Sequence, residues 1–220
     1  MSRLRRAFDL VGACAGLAVF APVLAIVIAA VLLDDGRPVL FRQARVGYRR
    51  RRFTILKIRT MRDGRATRVG HVLRATGLDE LPQLLNILAG DMSAVGPRPL
   101  TDGDVQRLGW SVADCDFRWD VKPGLTGFAQ IAGARHQDAL EMDRAYVVRW
   151  NPLLDCQLIA LSFAVNIFGK SRVQKLYAVN SSISGRPCWR RDSLPSNAAE
   201  ILYSSNRPSR AVEPTRRSSA

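Results

Sequence analysis

The sequence has few of the residues that bind metals or form disulfides. Its four cysteines lie far apart in a chain of 220 residues, without a Cys-x-x-Cys pair, and its two histidines do not cluster. This spacing indicates neither a zinc site nor a disulfide framework, and it favours a reducing compartment. The sequence also lacks a Walker motif, a dinucleotide-binding fingerprint and any internal repeat.

Acidic residues are scarce as well. Nineteen Asp and Glu stand against 33 Lys and Arg, which gives a net charge of +14 and a pI of about 10.9. The partner or substrate is therefore expected to be anionic: a nucleic acid, phospholipid head groups or a phosphorylated small molecule. With 47% hydrophobic and 24% charged residues, the chain suits one globular domain with appendages, and disorder throughout is excluded.

One long segment has no charge at all. The 24 residues from Leu10 to Leu33 are apolar or small, and about 20 such residues suffice to cross a bilayer as a helix. A cleaved signal peptide is the alternative, but its apolar region is usually only about 7–15 residues long. The segment therefore predicts a helix that resides in lipid.

The topology of this segment follows from its flanks. Arginines precede it near residue 5 and follow it from Arg37 onwards, so both ends are predicted to be cytoplasmic. Pro22 lies in the middle of the run, where it breaks or kinks a helix. A re-entrant helix that enters one leaflet and bends at Ala21-Pro22 satisfies both facts, and a kinked single span is the alternative.

The remainder is predicted to be α/β, mainly α with a small β-hairpin. Strand-like residues 39–41 and 53–58 flank the arginine run 49–52, and helical patterns follow at 81–89, 137–150 and 153–168. The last helix is either a core helix or one lying in the membrane interface. Three units result: the membrane helix at 1–35, a folded domain at 36–170, and a basic, serine-rich tail at 171–220 that is predicted to be disordered.

Basic residues and one pair of carboxylates mark the candidate site. Between residues 42 and 74 there are twelve Lys and Arg and one acid, so an anion is expected near this stretch. Asp79 and Glu80 follow at the predicted start of a helix. Thr76 and Asp79 also fit a capping box, in which Asp79 would only stabilise the helix N-terminus.

Two loops complete the candidate site. Pro97 and Pro99 enclose Arg98 in a turn that suits bidentate phosphate binding, although a surface loop with a solvated arginine fits the same residues. The glycine-rich stretch 122–135 allows a close backbone approach to a ligand, and a β-turn fits it equally well.

These motifs, taken in order, closely resemble the bacterial sugar transferases, the monotopic polyprenyl-phosphate phosphoglycosyl transferases of the short, exopolysaccharide-initiating type. The resemblance covers residues 4–168 and rests on FRQARVG at 41–47, KIRTM at 57–61, LDELPQLLNILAGDMSAVGPRPL at 78–100 and KPGLTGFAQI at 122–131. It implies a compact domain with interfacial helices on the cytoplasmic face of the bacterial inner membrane. It also implies transfer of a phosphosugar from a UDP-sugar to polyprenyl phosphate, which initiates exopolysaccharide or glycoconjugate synthesis.

The resemblance also implies roles for individual residues. Asp79 would be the nucleophile that forms a phosphosugar-aspartyl intermediate, and Glu80 would join it in catalysis and in holding Mg²⁺. The residues implied in phosphate or substrate binding are Arg74, Arg98, Lys57, Arg59, Gln130 and Arg135. Membrane lipids are expected partners, with downstream glycosyltransferases as further candidates. Galactose, glucose and N-acetylated sugars all stay open as the sugar, and the oligomeric state stays open as well.

Two other classes of protein are alternatives. A membrane-tethered nucleic-acid-binding protein would use the positive charge, but it needs stacking aromatics among the arginines, and only Phe41, Tyr48 and Phe53 are available. A non-catalytic membrane scaffold would not need the Asp79-Glu80 pair. The leading hypothesis is therefore a transferase with no nucleic-acid partner.

Overall fold

The computed structural model describes residues 3–110, 113–134 and 136–168. Within these residues the chain is mainly helical with small two-stranded sheets, as predicted. The helices are α1 (Arg3–Asp35), α2 (Arg68–Thr76), α3 (Gln83–Ala89), α4 (Asp102–Leu108), α5 (Phe128–Ala132), α6 (His136–Arg149) and α7 (Pro152–Phe168). The strands are β1 (Leu40–Val46), β2 (Arg52–Ile58), β3 (Met61–Arg62), β4 (Arg65–Ala66), β5 (Ser93–Val95) and β6 (Gly124–Thr126). The predicted tail at 171–220 lies outside the described residues.

The predicted hairpin is confirmed. Strand β1 pairs antiparallel with β2, and its register brings Phe41 opposite Lys57. The arginine run forms the connection, where Arg49 and Arg50 adopt positive φ angles of 52° and 58°. Strands β5 and β6, which follow α3 and precede α5, pair in parallel instead. The hairpin contains the motif at 41–47, and the parallel pair joins the motifs at 78–100 and 122–131.

The predicted helices at 81–89, 137–150 and 153–168 correspond to α3, α6 and α7. The capping box at Thr76 is wrong, because Thr76 ends α2 and its hydroxyl donates to the carbonyls of Val72 and Leu73. The next α-helix does not begin until Gln83. A reciprocal capping box does form further along, between Thr101 and Asp104 at the start of α4.

Buried charged side chains near the N-terminus of α1 bind this helix to the rest of the domain. The Asp9 carboxylate accepts hydrogen bonds of 2.9 Å from the Ser93 hydroxyl and from the backbone N–H of Ala94. Arg5 donates to the Val95 carbonyl at 2.8 Å and lies 3.8 Å from Asp155 of α7. These three hydrogen bonds join α1 to β5 through the buried side chains of Asp9 and Arg5.

The C-terminal end of α1 is fastened to the same domain. Asp34 accepts a hydrogen bond from the backbone N–H of Val69 in α2, and Asp35 pairs with Arg59 at 2.6 Å. Between the two ends, the helix continues through Pro22. Its buried side chains Ala13 and Val31 pack against hydrophobic clusters that contain residues of β2, α2 and α3. The helix therefore contacts one domain along most of its length.

Asn86 joins α3 to the hairpin. Its buried side chain accepts from the Leu56 N–H at 3.0 Å and donates to the Thr54 carbonyl at 2.8 Å. Both partners belong to β2, so the carboxamide binds to this strand as a neighbouring strand would. This contact fixes the distance between β2 and the segment that precedes α3, where Asp79 and Glu80 lie.

Replacing Asn86 with Ala should destabilise the fold. The substitution leaves one backbone donor and one acceptor of β2 without their partner, and we expect the free energy of unfolding to fall by about 2–4 kcal/mol. Denaturant titration in detergent, followed by tryptophan fluorescence, measures the change. Leu85→Ala, at an exposed position of the same helix, is the control and should cost far less. Equal losses in the two variants would contradict a structural role for the carboxamide.

Candidate active site

The carboxylate pair lies in a tight turn between two helices. Leu78–Glu80 form one turn of 3₁₀ helix after α2 ends at Gly77, which has a φ of 74°. A side chain at Gly77 would be strained by this φ, and its Cβ would lie 3.2 Å from the Asn166 carboxamide of α7. Gly77 therefore allows the chain to turn sharply beside α7, so that Asp79 and Glu80 follow α2 directly.

Lys57 joins the pair from the hairpin. Its Nζ donates to Glu80 Oε1 at 2.5 Å, and the lysine and glutamate side chains are 21% and 38% exposed. Because both groups still reach solvent, the ion pair contributes modestly to stability. Its effect at the site is geometric: it holds one carboxylate of the pair and leaves the other, Asp79, without a direct ion-pair partner among the described residues.

Burial raises the pKa of the Asp79 carboxyl, and the neighbouring Glu80 carboxylate raises it further. Lys57, a backbone hydrogen bond and Arg74 act in the opposite direction. A carboxylate that has lost water and faces a like charge is less well stabilised as an anion than a free aspartate. It therefore gains from an added cation and is suited to act as a nucleophile.

The two carboxylates suit a Mg²⁺ ion. No third His, Cys, Asp or Glu joins them to form a complete protein cage among the described residues. Mg²⁺ typically binds one or two carboxylates and takes its other ligands from water and substrate phosphates. Because a cation at Asp79 would offset the charge repulsion that raises its pKa, the donor set fits this ion.

Arg98 lies in the loop between β5 and α4. Its side chain is exposed, although Pro97 and Pro99 on either side of it are buried. Arg45 of β1 donates to Gln43 at 2.5 Å and to the carbonyl of Pro99, the residue after Arg98, at 3.2 Å. Burial lowers the pKa of Arg45, and the Asp104 carboxylate 3.6 Å away raises it, while Arg98 lowers it and Glu80 raises it by smaller amounts.

The other residues predicted to bind phosphate or substrate lie in separate parts of the chain. Arg74 is exposed in the last turn of α2, where its charge lowers the pKa of Asp79. Arg59 is engaged at the end of α1, with Asp35 and with the carbonyls of Asp35, Gly36 and Pro38. Gln130 lies in α5 and reaches the Gly124 carbonyl at 3.4 Å. Arg135 lies outside the described residues.

Sequence reasoning missed two arginines at the site. Arg45 belongs to the motif at 41–47, and its alternation with Gln43 on one face of a strand was an available signal. Arg118 had no such signal, because it lies in the 3₁₀-helical segment Ala113–Trp119, outside the quoted motifs, and is buried only through tertiary packing. Both contact the backbone of the loop that carries Arg98.

Comparison with known proteins identifies the family. The model of the bacterial sugar transferases matches residues 1–169. A UDP-glucose:undecaprenyl-phosphate glucose-1-phosphate transferase of Caulobacter vibrioides is 37% identical over 177 residues, which cover 70% of this chain and 66% of that protein. An undecaprenyl-phosphate glucose phosphotransferase of Komagataeibacter xylinus is 36% identical over 193 residues, covering 76% of this chain and 36% of that protein.

A third relative is covered over most of its length. The exopolysaccharide production protein PSS of Rhizobium leguminosarum bv. phaseoli is 36% identical over 184 residues, which cover 71% of this chain and 91% of that protein. The chain belongs to the bacterial sugar transferase family, which disfavours the nucleic-acid-binding and scaffold alternatives. It spans less than two thirds of the length of the Caulobacter and Komagataeibacter relatives.

Proposed function

We propose that the protein is a phosphoglycosyl transferase that moves a sugar 1-phosphate from a UDP-sugar to undecaprenyl phosphate at the start of exopolysaccharide synthesis. The observation that carries the proposal is the Asp79-Glu80 pair. Its first member has a raised pKa, and its second is held by Lys57. The names of relatives supply the substrate classes, and UDP-glucose is the first donor to test because the Caulobacter name contains it and the Komagataeibacter name contains glucose.

In the first chemical step, an Asp79 carboxylate oxygen attacks the sugar-linked phosphorus of the donor. A new bond forms between this oxygen and phosphorus, while the bond from phosphorus to the oxygen bridging to UMP breaks. UMP leaves with that oxygen and its electron pair. The phosphosugar is then attached to Asp79 as an acyl phosphate.

In the second step, a phosphate oxygen of undecaprenyl phosphate attacks the same phosphorus. The bond between phosphorus and the Asp79 oxygen breaks, which restores the carboxylate and gives the undecaprenyl diphosphate sugar. No oxidant or reductant is needed, because both steps exchange one oxygen ligand of phosphorus for another.

Cationic side chains offset the charge of these reactants. Arg74 and Arg98, both exposed, are the proposed contacts to donor phosphates, and Lys57 keeps Glu80 beside Asp79. Asp79 and Glu80 would hold Mg²⁺. When bound, this ion would neutralise phosphate charge and reduce the repulsion between the nucleophile and the diphosphate.

The protein is further proposed to sit in one leaflet, with its domain on the cytoplasmic side of the inner membrane. Support comes from α1, which is long and apolar enough to span a membrane and yet bonds to the same domain through Asp9 near one end and Asp35 at the other. A helix fastened in this way keeps both ends on one side of the bilayer. Its exposed apolar residues, among them Val11, Val19 and Ile26, would then contact acyl chains.

The proposed activity is tested by UMP release. Detergent-extracted protein is incubated with Mg²⁺, undecaprenyl phosphate and, in turn, UDP-glucose, UDP-galactose and UDP-N-acetylglucosamine. We expect one donor to give UMP and a lipid-linked sugar in equal amounts. Folded protein that releases UMP from none of these donors would contradict the proposal.

The pH dependence of kcat/KM should reveal the environment of Asp79. Because its pKa is raised, activity should increase with pH through a value above the ordinary aspartate pKa of about 3.9. Removing the negative charge of Glu80 with Glu80→Gln should move this acidic limb to lower pH. Removing the positive charge of Lys57 with Lys57→Met should move it to higher pH. If the acidic limb moves in the same direction in both variants, a group other than Asp79 titrates.

A further inference from the structure

The loop that carries Arg98 is held through its backbone. Four consecutive carbonyls accept a hydrogen bond, each from a different group. The pairs are Gly124 N to the Pro97 carbonyl (2.9 Å), Arg118 Nη2 to that of Arg98 (2.7 Å), Arg45 Nη1 to that of Pro99 (3.2 Å) and Val46 N to that of Leu100 (2.8 Å). The donors come from β6, β1 and the segment Ala113–Trp119, so three parts of the fold converge on four residues.

Arg118 is the most deeply buried of the side chains that hold this loop. It and Asp143 of α6 are each 3% exposed, and its Nε donates to Asp143 Oδ2 at 2.7 Å. Its guanidinium also lies over the rings of Trp110 and Trp119, at 5.0 and 5.4 Å from their centroids. An arginine enclosed in this way does not reach a substrate. Removing such an ion pair from water also costs free energy, so a contribution to stability is a weak explanation for its presence.

We infer that Arg118 is a positioning residue, which orients Arg98 towards the donor diphosphate. The inference rests on the proposed function for the identity of that ligand. Orientation follows from the backbone: the direction of the Arg98 carbonyl fixes the ψ angle of Arg98, and Pro99 already restricts that angle to the extended region. One hydrogen bond from Arg118 thus selects the peptide plane from which the Arg98 side chain projects.

A lysine at position 118 cannot make both of these contacts. The planar guanidinium of Arg118 binds Asp143 through Nε and the Arg98 carbonyl through Nη2, whereas an ammonium is a single point on a flexible stem. Arg118→Lys keeps the charge opposite Asp143 and loses the bond to the carbonyl. It therefore separates the positioning role from the ion pair.

The test is the affinity for UDP, measured by calorimetry on full-length protein in detergent with Mg²⁺. We expect Arg118→Lys to weaken UDP binding about tenfold. Arg98→Ala should weaken it as well, and the Arg98→Ala/Arg118→Lys double variant should bind within about twofold of Arg98→Ala alone. If Arg118→Lys weakens binding by the same factor with or without Arg98, or has no effect in either background, the inference is overturned.

Two further variants guard against simple loss of folding. Arg5→Lys is the matched control, because Arg5 is also buried and donates to a backbone carbonyl, that of Val95. It should lower the melting temperature without changing UDP affinity, and an equal loss of affinity would overturn the inference. If Arg118→Lys does not fold, Asp143→Asn replaces it. We expect Asp143→Asn to weaken UDP binding about threefold, and only when Arg98 is present.

Turnover measured on the same samples separates this inference from the proposed function. UDP binding that depends jointly on Arg118 and Arg98, without UMP release from any donor, would support the positioning role and contradict the transferase activity. UMP release without joint dependence would do the opposite. Wild-type protein that binds no UDP and releases no UMP would overturn both.

Discussion

Asp79→Asn is expected to lower the rate of UMP release by at least about a thousandfold, because an amide cannot serve as the attacking group. The substitution preserves size and leaves the ion pair between Lys57 and Glu80 in place. It also removes a partly buried carboxyl whose pKa is raised, so the fold should not lose stability. The predicted loss is therefore one of chemistry, visible in kcat with the melting temperature maintained.

Asp91→Asn is the control for this variant. Asp91 is also partly buried, and it follows α3 at the end opposite to the carboxylate pair. Its replacement should leave UMP release within about twofold of the wild-type rate. A folded Asp79→Asn protein with a tenth or more of wild-type activity would contradict the nucleophilic role of Asp79.

Removal of Mg²⁺ should have the second largest effect. With a chelator present, we expect UMP release to fall at least about a hundredfold and to recover when Mg²⁺ is added in excess. The physical reason is the repulsion between the carboxylates and a doubly anionic diphosphate, which the arginines offset only in part. The measurement is the initial rate of UMP release as a function of free Mg²⁺ concentration.

Glu80→Gln connects this requirement to the proposed ligands. The variant should need about ten times more Mg²⁺, or more, for half of its maximal rate. Asp102→Asn, at a carboxylate that pairs with Arg52 outside the site, is the control and should need the same concentration as the wild type. An unchanged Mg²⁺ requirement in Glu80→Gln would place the ion elsewhere.

Local patterns predicted much of this fold. The hairpin followed from two strand-like stretches around an arginine run, and α3, α6 and α7 followed from periodicity and length. The Asp79-Glu80 pair was visible as adjacent carboxylates after a basic stretch. These features were accessible because each depends on residues that are close in sequence.

Contacts between distant segments were not predictable in this way. Arg59 was assigned to phosphate by resemblance, and in the structure it pairs with Asp35 at the end of α1. Thr76 matched a capping pattern, but it ends α2, and the helix that it was predicted to start begins only at Gln83. For Arg59, tertiary placement decided which of several suitable partners the side chain met, whereas the Thr76 hydroxyl bonds to carbonyls of its own helix.

The burial of Arg118 and Asp143 has the same origin. They are 25 positions apart in sequence, and neither lies in a recognisable motif. Only the packing of α6 against the segment Ala113–Trp119 brings them together beneath the Arg98 loop. A buried polar pair that supports a site through backbone hydrogen bonds has no local periodicity or spacing in the sequence from which it could be predicted.

Mass spectrometry tests the covalent role of Asp79 most directly. Protein is incubated with Mg²⁺ and the active UDP-sugar in the absence of undecaprenyl phosphate, and is then analysed intact and after proteolysis. The account predicts an added mass equal to one phosphosugar, located on Asp79, together with one equivalent of UMP and loss of the adduct when undecaprenyl phosphate is supplied. Release of UMP only when the lipid acceptor is present, with unmodified Asp79 throughout, would contradict it.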